Sequence, residues 1–173
     1  MLSLSKHHRR HVIPDVLAPD LKVVFCGSAV GPKSAELKLP YAGPGNKFWP
    51  TLHTAGFTPT LLAPTDYKKL PTLGLGLTDL NKTEFGVDTA LTPAGDDPEA
   101  LRKKIVKYRP AILAFTAKRP AQVVLGRPVD YGFQNETIGL TRLYVLPSPS
   151  GRAGSFWDVE HWRALARAAR EAS

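Results

Sequence analysis

Residues 21–35, LKVVFCGSAVGPKSA, constrain this chain more than any other stretch. The largely apolar run over residues 21–26 is β-branched and aromatic in type, the pattern of a buried strand. Gly27 and Gly31 then bracket a tight loop at that strand's carboxyl end. In an open α/β sheet ligands lie in this crevice, because backbone amides and loop side chains converge there. A strand-to-helix turn without chemistry has the same local pattern. A phosphate-cradling P-loop does not fit. Lys33 and Ser34 stand in the right register with Gly27, but Pro32 precedes Lys33 where a glycine is needed. Proline offers no N–H to a phosphate and fixes its own φ.

The remaining chain supports one α/β domain. Its 173 residues suffice for a substantial core, and 43% hydrophobic with 9% aromatic content is globular in kind. No apolar run reaches membrane-spanning length, so no membrane partner is expected. The single cysteine, Cys26, excludes an internal disulfide and a multi-cysteine metal site. It falls in a strand, as a buried structural thiol would. An intracellular, cytoplasmic setting is the default expectation. The formal net charge of +8 favours polyanionic partners, since phosphate contacts release counterions. Residues 1–12 are expected to be a flexible basic arm and residues 13–173 the domain.

Strand and helix signals alternate along the domain. Asn46 is a candidate N-cap for a helix stopped by Gly56. Residues 73–80, LGLGLTDL, form a glycine-laced strand that ends on Thr78 and Asp79. Asp97-Pro98 opens a helix that runs to about Tyr108. Residues 111–116 are a second buried strand, residues 121–125 a short helix before Gly126, and residues 142–146 a further strand. Ser155, with Asp158 three residues on, has the form of a capping box for the last helix. The expected architecture is a single-domain three-layer α/β/α sandwich around a central, mostly parallel sheet.

Four stretches in order carry a resemblance. They are VVFCG-x-x-x-G-x-x-S-A after I-x-D-V-L-A-P, then NKFW followed by AGF, then the strand ending at Thr78-Asp79, and last VLP-x-PSG at residues 145–151. Together they resemble the mismatch-specific uracil/thymine DNA glycosylase family of the uracil-DNA glycosylase superfamily. The resemblance implies uracil-containing DNA as partner, a monomeric enzyme, and no metal or organic cofactor. It implies a base pocket at Gly27, Ser28, Ala29, Ser34 and Phe48, with Phe48 stacking on the extruded base and its N–H helping to read it. It also implies that Ser148, Pro149, Ser150, Gly151 and Arg152 form a loop inserted into DNA.

Two departures from that pattern matter chemically. The family's usual Asn or Asp, which directs the attacking water, is Ala29 here. Hydrolysis of a glycosidic bond passes through an oxocarbenium-like sugar that a nearby carboxylate stabilises. Asp79, at the carboxyl end of its strand, is the candidate to take that catalytic role, although an aspartate there is equally suited to capping a turn. Arg152 stands where an apolar wedge is common, and its planar guanidinium can fill a vacated stack or bind phosphate. With Ala29 apolar, a catalytically silent binder of damaged or mismatched DNA is the alternative reading.

Overall fold

The structure, a computed structural model, describes residues 11–86 and 91–172. The basic arm falls outside the described residues as far as residue 10. Val12 is already tied down, its N–H donating to Lys82 O at 2.9 Å.

Five strands make one sheet. They are β1 (Val23–Gly27), β2 (Leu75–Asp79), β3 (Ile112–Phe115), β4 (Gly132–Ile138) and β5 (Thr141–Val145), in the order β2-β1-β3-β5-β4. The first four in that order run parallel, and β4 pairs antiparallel with β5 at the edge. Among the described residues five α-helices accompany them: α1 (Pro32–Leu37), α2 (Phe48–Thr54), α3 (Pro98–Tyr108), α4 (Lys118–Leu125) and α5 (Val159–Glu171). A 3-10 helix spans Pro64–Leu73 and another Gly151–Phe156. Among the described residues no helix is long and apolar enough to cross a membrane.

Alternation along each strand divides the core into two layers. Phe25, Leu77 and Ala114 face α2 and α5, where Trp162 and Leu165 are fully buried. Val24, Cys26, Leu113 and Val145 face the opposite way, onto Leu101 and Ile105 of α3 and Ala121 of α4. The sandwich expected from the strand and helix signals is therefore present.

Local signals placed most boundaries well. Asp97 accepts from Ala100 N–H at 3.0 Å and caps α3, while Gly126, in the left-handed region, ends α4. Two details differ. The last helix begins at Val159 with Asp158 as its cap, because Ser155 belongs to the preceding 3-10 helix. Strand β4 carries no apolar stripe, since its residues are partly or wholly exposed until Ile138. It exists because the hairpin at Gly139 (φ 58°) folds it onto β5.

The order of strands places the switch in connection at β1. The chain leaves β1 for β2 on one side and returns to β3 on the other, so the crevice beyond their carboxyl ends is open for a ligand.

Candidate active site

A cavity of about 930 Å³ occupies that crevice. Its wall is built by the loops that follow β1, β2, β3 and β5, together with the Pro/Gly-rich segment between α1 and α2. Gly27, Ser28, Ala29, Ser34, Asp79 and all five residues of the 148–152 loop line it.

Asp79 lies across Gly27. The two are paired in the parallel register, and a Cβ added at Gly27 would stand 2.8 Å from Asp79 Oδ1. The same point is 3.4 Å from Tyr41 Oη and 3.5 Å from Thr116 Oγ1. Only a residue without a side chain lets a carboxylate approach the strand end this closely. Burial pushes the Asp79 carboxyl above the ordinary carboxylate range, against the pull of Lys82, whose Nζ is 3.5 Å from Oδ2.

Lys82 is shared. It also sits 3.1 Å from Asp15 Oδ1, and Asp15 Oδ2 is 2.6 Å from Lys104 Nζ. Thr78 Oγ1 donates to Asp15 at 2.7 Å and accepts from Lys104 at 3.0 Å. Burial alone would raise Asp15, but Lys82, Lys104 and these hydrogen bonds outweigh it and hold the carboxyl below its usual value. Burial likewise lowers Lys82, and here the two carboxylates win and raise it. Asp15, Lys82 and Lys104 carry no local sequence signal, because the pattern that joins them exists only once the chain has folded.

Phe48 is not where the resemblance put it. Its ring is fully buried, with edge contacts to Phe25, Trp49 and Trp162, and it does not border the cavity. Its N–H donates to Asn46 Oδ1 at 2.9 Å, so neither ring nor amide is free to meet a base. The cause is its place as the first residue of α2, on the face turned to α5. Tyr41 takes the cavity-facing position instead. Its ring stacks on Phe48 at 3.9 Å between centroids and 14° between planes. Its hydroxyl pairs with Thr116 Oγ1 at 3.1 Å, and Thr116 leans on Cys26 O at 3.4 Å. Burial and then Asp79 push the Tyr41 hydroxyl well above its ordinary value, so it stays neutral.

Tyr41 adopts φ 52°, an uncommon backbone for an aromatic residue. The next residue is tethered, with Ala42 N–H donating to Ser34 Oγ at 2.9 Å. Ser34 therefore both lines the cavity and fastens the aromatic loop. The one hint of Tyr41 in the sequence is an aromatic inside the otherwise turn-forming run LPYAGPG.

Ser28 Oγ is buried and forms no hydrogen bond with any described residue. Such a hydroxyl at a cavity wall leaves a donor and acceptors for a ligand. Ala29 is partly exposed on the same wall and brings no polar side chain to it. The 148–152 loop is locked onto the opposite rim. Lys47 N–H donates to Pro149 O at 2.8 Å, and a Cβ at Gly151 would meet Pro44 O at 3.0 Å. Ser148 Oγ accepts from Ser150 N–H at 3.2 Å, and Ser150 Oγ from Arg152 N–H at 3.3 Å. Arg152 is exposed at the mouth.

Chemically, this is an aromatic shelf in an open crevice, beside an aspartate, with one orphaned hydroxyl and a basic rim. Comparison with known proteins gives two findings. Residues 14–166 match the family described as the uracil DNA glycosylase superfamily. A solution NMR structure from Methanosarcina acetivorans, of a candidate uracil DNA glycosylase, superposes with a TM-score of 0.61 at 23% identity. The match covers 91% of this chain and 96% of that one, and at this identity it speaks for the fold.

Proposed function

Because the chain belongs to the uracil DNA glycosylase superfamily, we propose that it is a monofunctional glycosylase of the mismatch-specific type. It flips uracil out of DNA, G:U mismatches included, and hydrolyses the N-glycosidic bond to leave an abasic site. Membership supports DNA glycosylase activity in the broad sense, and the carboxylate of Asp79 lying across Gly27 is the observation that carries the finer reading.

In this reading the extruded base lies against Tyr41, whose ring is stiffened from behind by Phe48 and pinned by Thr116. Ser28 Oγ meets a polar edge of the base, satisfying a hydroxyl that otherwise has no partner. As the bond to the base breaks, positive charge gathers on the sugar, and Asp79 stabilises it and positions the attacking water. Backbone N–H groups around Ser28 and Ala29 share the charge on the departing pyrimidine. The 148–152 loop enters the duplex, with Arg152 filling the vacated stack or holding a phosphate. The enzyme acts as an intracellular monomer.

The test is single-turnover cleavage of a uracil-containing duplex by Asp79→Ala. Binding should stay normal while cleavage falls about 100-fold or more, the usual cost of one electrostatic catalyst. Full activity in the variant would remove Asp79 from the chemistry. No cleavage by the parent on any uracil, thymine or hypoxanthine duplex that it binds would favour the silent binder, to which the apolar Ala29 also points.

A further inference from the structure

Resting on that assignment of Asp79, we infer that Lys82 is a positioning residue that keeps Asp79 ionised and aimed. Asp15 limits its effect, so the two together set where on the pH scale the enzyme loses activity in acid. The ions form a chain in space, Lys104 to Asp15 to Lys82 to Asp79, with contacts of 2.6, 3.1 and 3.5 Å. Their side chains are only 10–19% exposed, so water screens them weakly.

The arrangement is asymmetric. Asp15 is held by Lys104 and by the Thr78 hydroxyl as well as by Lys82, and has charge partners on two sides. Asp79 meets its cation through Lys82, three residues further along the same loop. The loop is pinned in turn, because Lys82 O accepts from Val12 N–H at 2.9 Å and Asn81 N–H donates to Ser28 O at 2.8 Å. Lys82 is therefore fixed at both its backbone and its ammonium. Asp79 and Lys82 border the large cavity and also a second one of about 240 Å³ behind it. The pair forms part of the partition between the proposed base site and this smaller chamber.

The groups facing Asp79 are few and their signs are clear. Strand β1 presents Cys26 and the segment before α2 presents Tyr41, both kept neutral by burial. The residue after β3 adds the Thr116 hydroxyl near Gly27. The amino-terminal segment contributes Asp15, and α3 contributes Lys104, which acts at longer range. His11 borders the second cavity, and burial and then Lys82 hold its imidazole below the ordinary value, towards the neutral form. Desolvation favours a protonated Asp79, which could not stabilise a cationic sugar. Lys82 opposes this and Asp15 reinforces it. Removing either must therefore shift the titration of Asp79, and in opposite directions.

The experiment is a pH profile of single-turnover uracil excision, from about pH 5 to about pH 9, for the parent, Lys82→Gln, Lys82→Arg and Asp15→Asn. Lys82→Gln should move the acidic limb up by about one pH unit or more, costing about tenfold in rate below the limb while the rate recovers above it. Lys82→Arg should keep the limb near the parent's, because the charge remains. Asp15→Asn should move the limb down, because a like charge is gone and Lys82 is free to turn to Asp79. Should Lys82→Gln fail to fold, the Asp15→Asn shift and the Lys82→Arg rescue still decide. Losses that are uniform across pH, with the limb unmoved, would show that Lys82 and Asp15 only support the fold and would overturn the inference. The parent reading fails separately, through an Asp79→Asn variant that keeps both full rate and the acidic limb.

Discussion

The close approach of Asp79 to Gly27 leads to a prediction about a single added methyl group. In Gly27→Ala the new Cβ would stand 2.8 Å from Asp79 Oδ1, whereas ordinary contact begins at 3.4 Å. The carboxylate must therefore retreat by about 0.6 Å, the difference of those two distances. Tyr41 Oη and Thr116 Oγ1, at 3.4 and 3.5 Å, can stay. Overpacking of this kind costs about 1–3 kcal/mol. Replacing a glycine within a strand returns roughly 0.5–1 kcal/mol through the unfolded chain. The net loss of about 0–2.5 kcal/mol corresponds to a fall in Tm of at most about 10 °C for a chain of this size. Catalysis is far less tolerant, since a displacement of about 1 Å costs on the order of 100-fold. Gly27→Ala should thus remain folded and bind a uracil duplex while losing about 10- to 100-fold in single-turnover cleavage. Melting curves, a binding titration and a cleavage time course on the same preparation suffice. Parental cleavage by the folded variant would refute the claim that this carboxylate must lie against the end of β1.

The neighbouring aromatics should separate cleanly. Phe48→Ala, which empties a fully buried site, should cost about 3–5 kcal/mol, read as a Tm lower by roughly 6–20 °C; unchanged melting would mean the ring is not core. Tyr41→Ala should weaken excision about 10- to 100-fold through a lost stacking platform worth about 1–3 kcal/mol per base. Tyr41→Phe should keep most of the rate, and parental activity in the alanine variant would place the base elsewhere. The net charge of +8 leads to a last expectation, that duplex affinity falls steeply as salt rises. Affinity insensitive to salt between low and physiological strength would exclude a phosphate-tracking surface.

Much of this protein was settled by local pattern. The run through β1, the cap at Asp97-Pro98 and the stop at Gly126 are short-range signals, and each element formed where its signal lay. Alternating strands and helices then leave few topologies, because parallel strands need crossovers of one hand. Asp79 could be placed at the carboxyl-terminal edge of the sheet for the same reason, as the last residue of a strand parallel to β1. What the sequence by itself could not decide was which groups face which. Phe48 and Tyr41 are both aromatics beside a glycine-rich loop, and they differ only because Trp162, more than a hundred residues further on, closes over Phe48. Likewise β4 carries no apolar stripe and exists as a partner for β5. Asp15, Lys82 and Lys104 come from three separate segments, and their charges acquire meaning at the 2.6–3.5 Å separations reached on folding. Periodicity and capping act between near neighbours in the chain and can be read along it. Burial and ion pairing belong to pairs of residues, and the tertiary structure alone chooses the pairs.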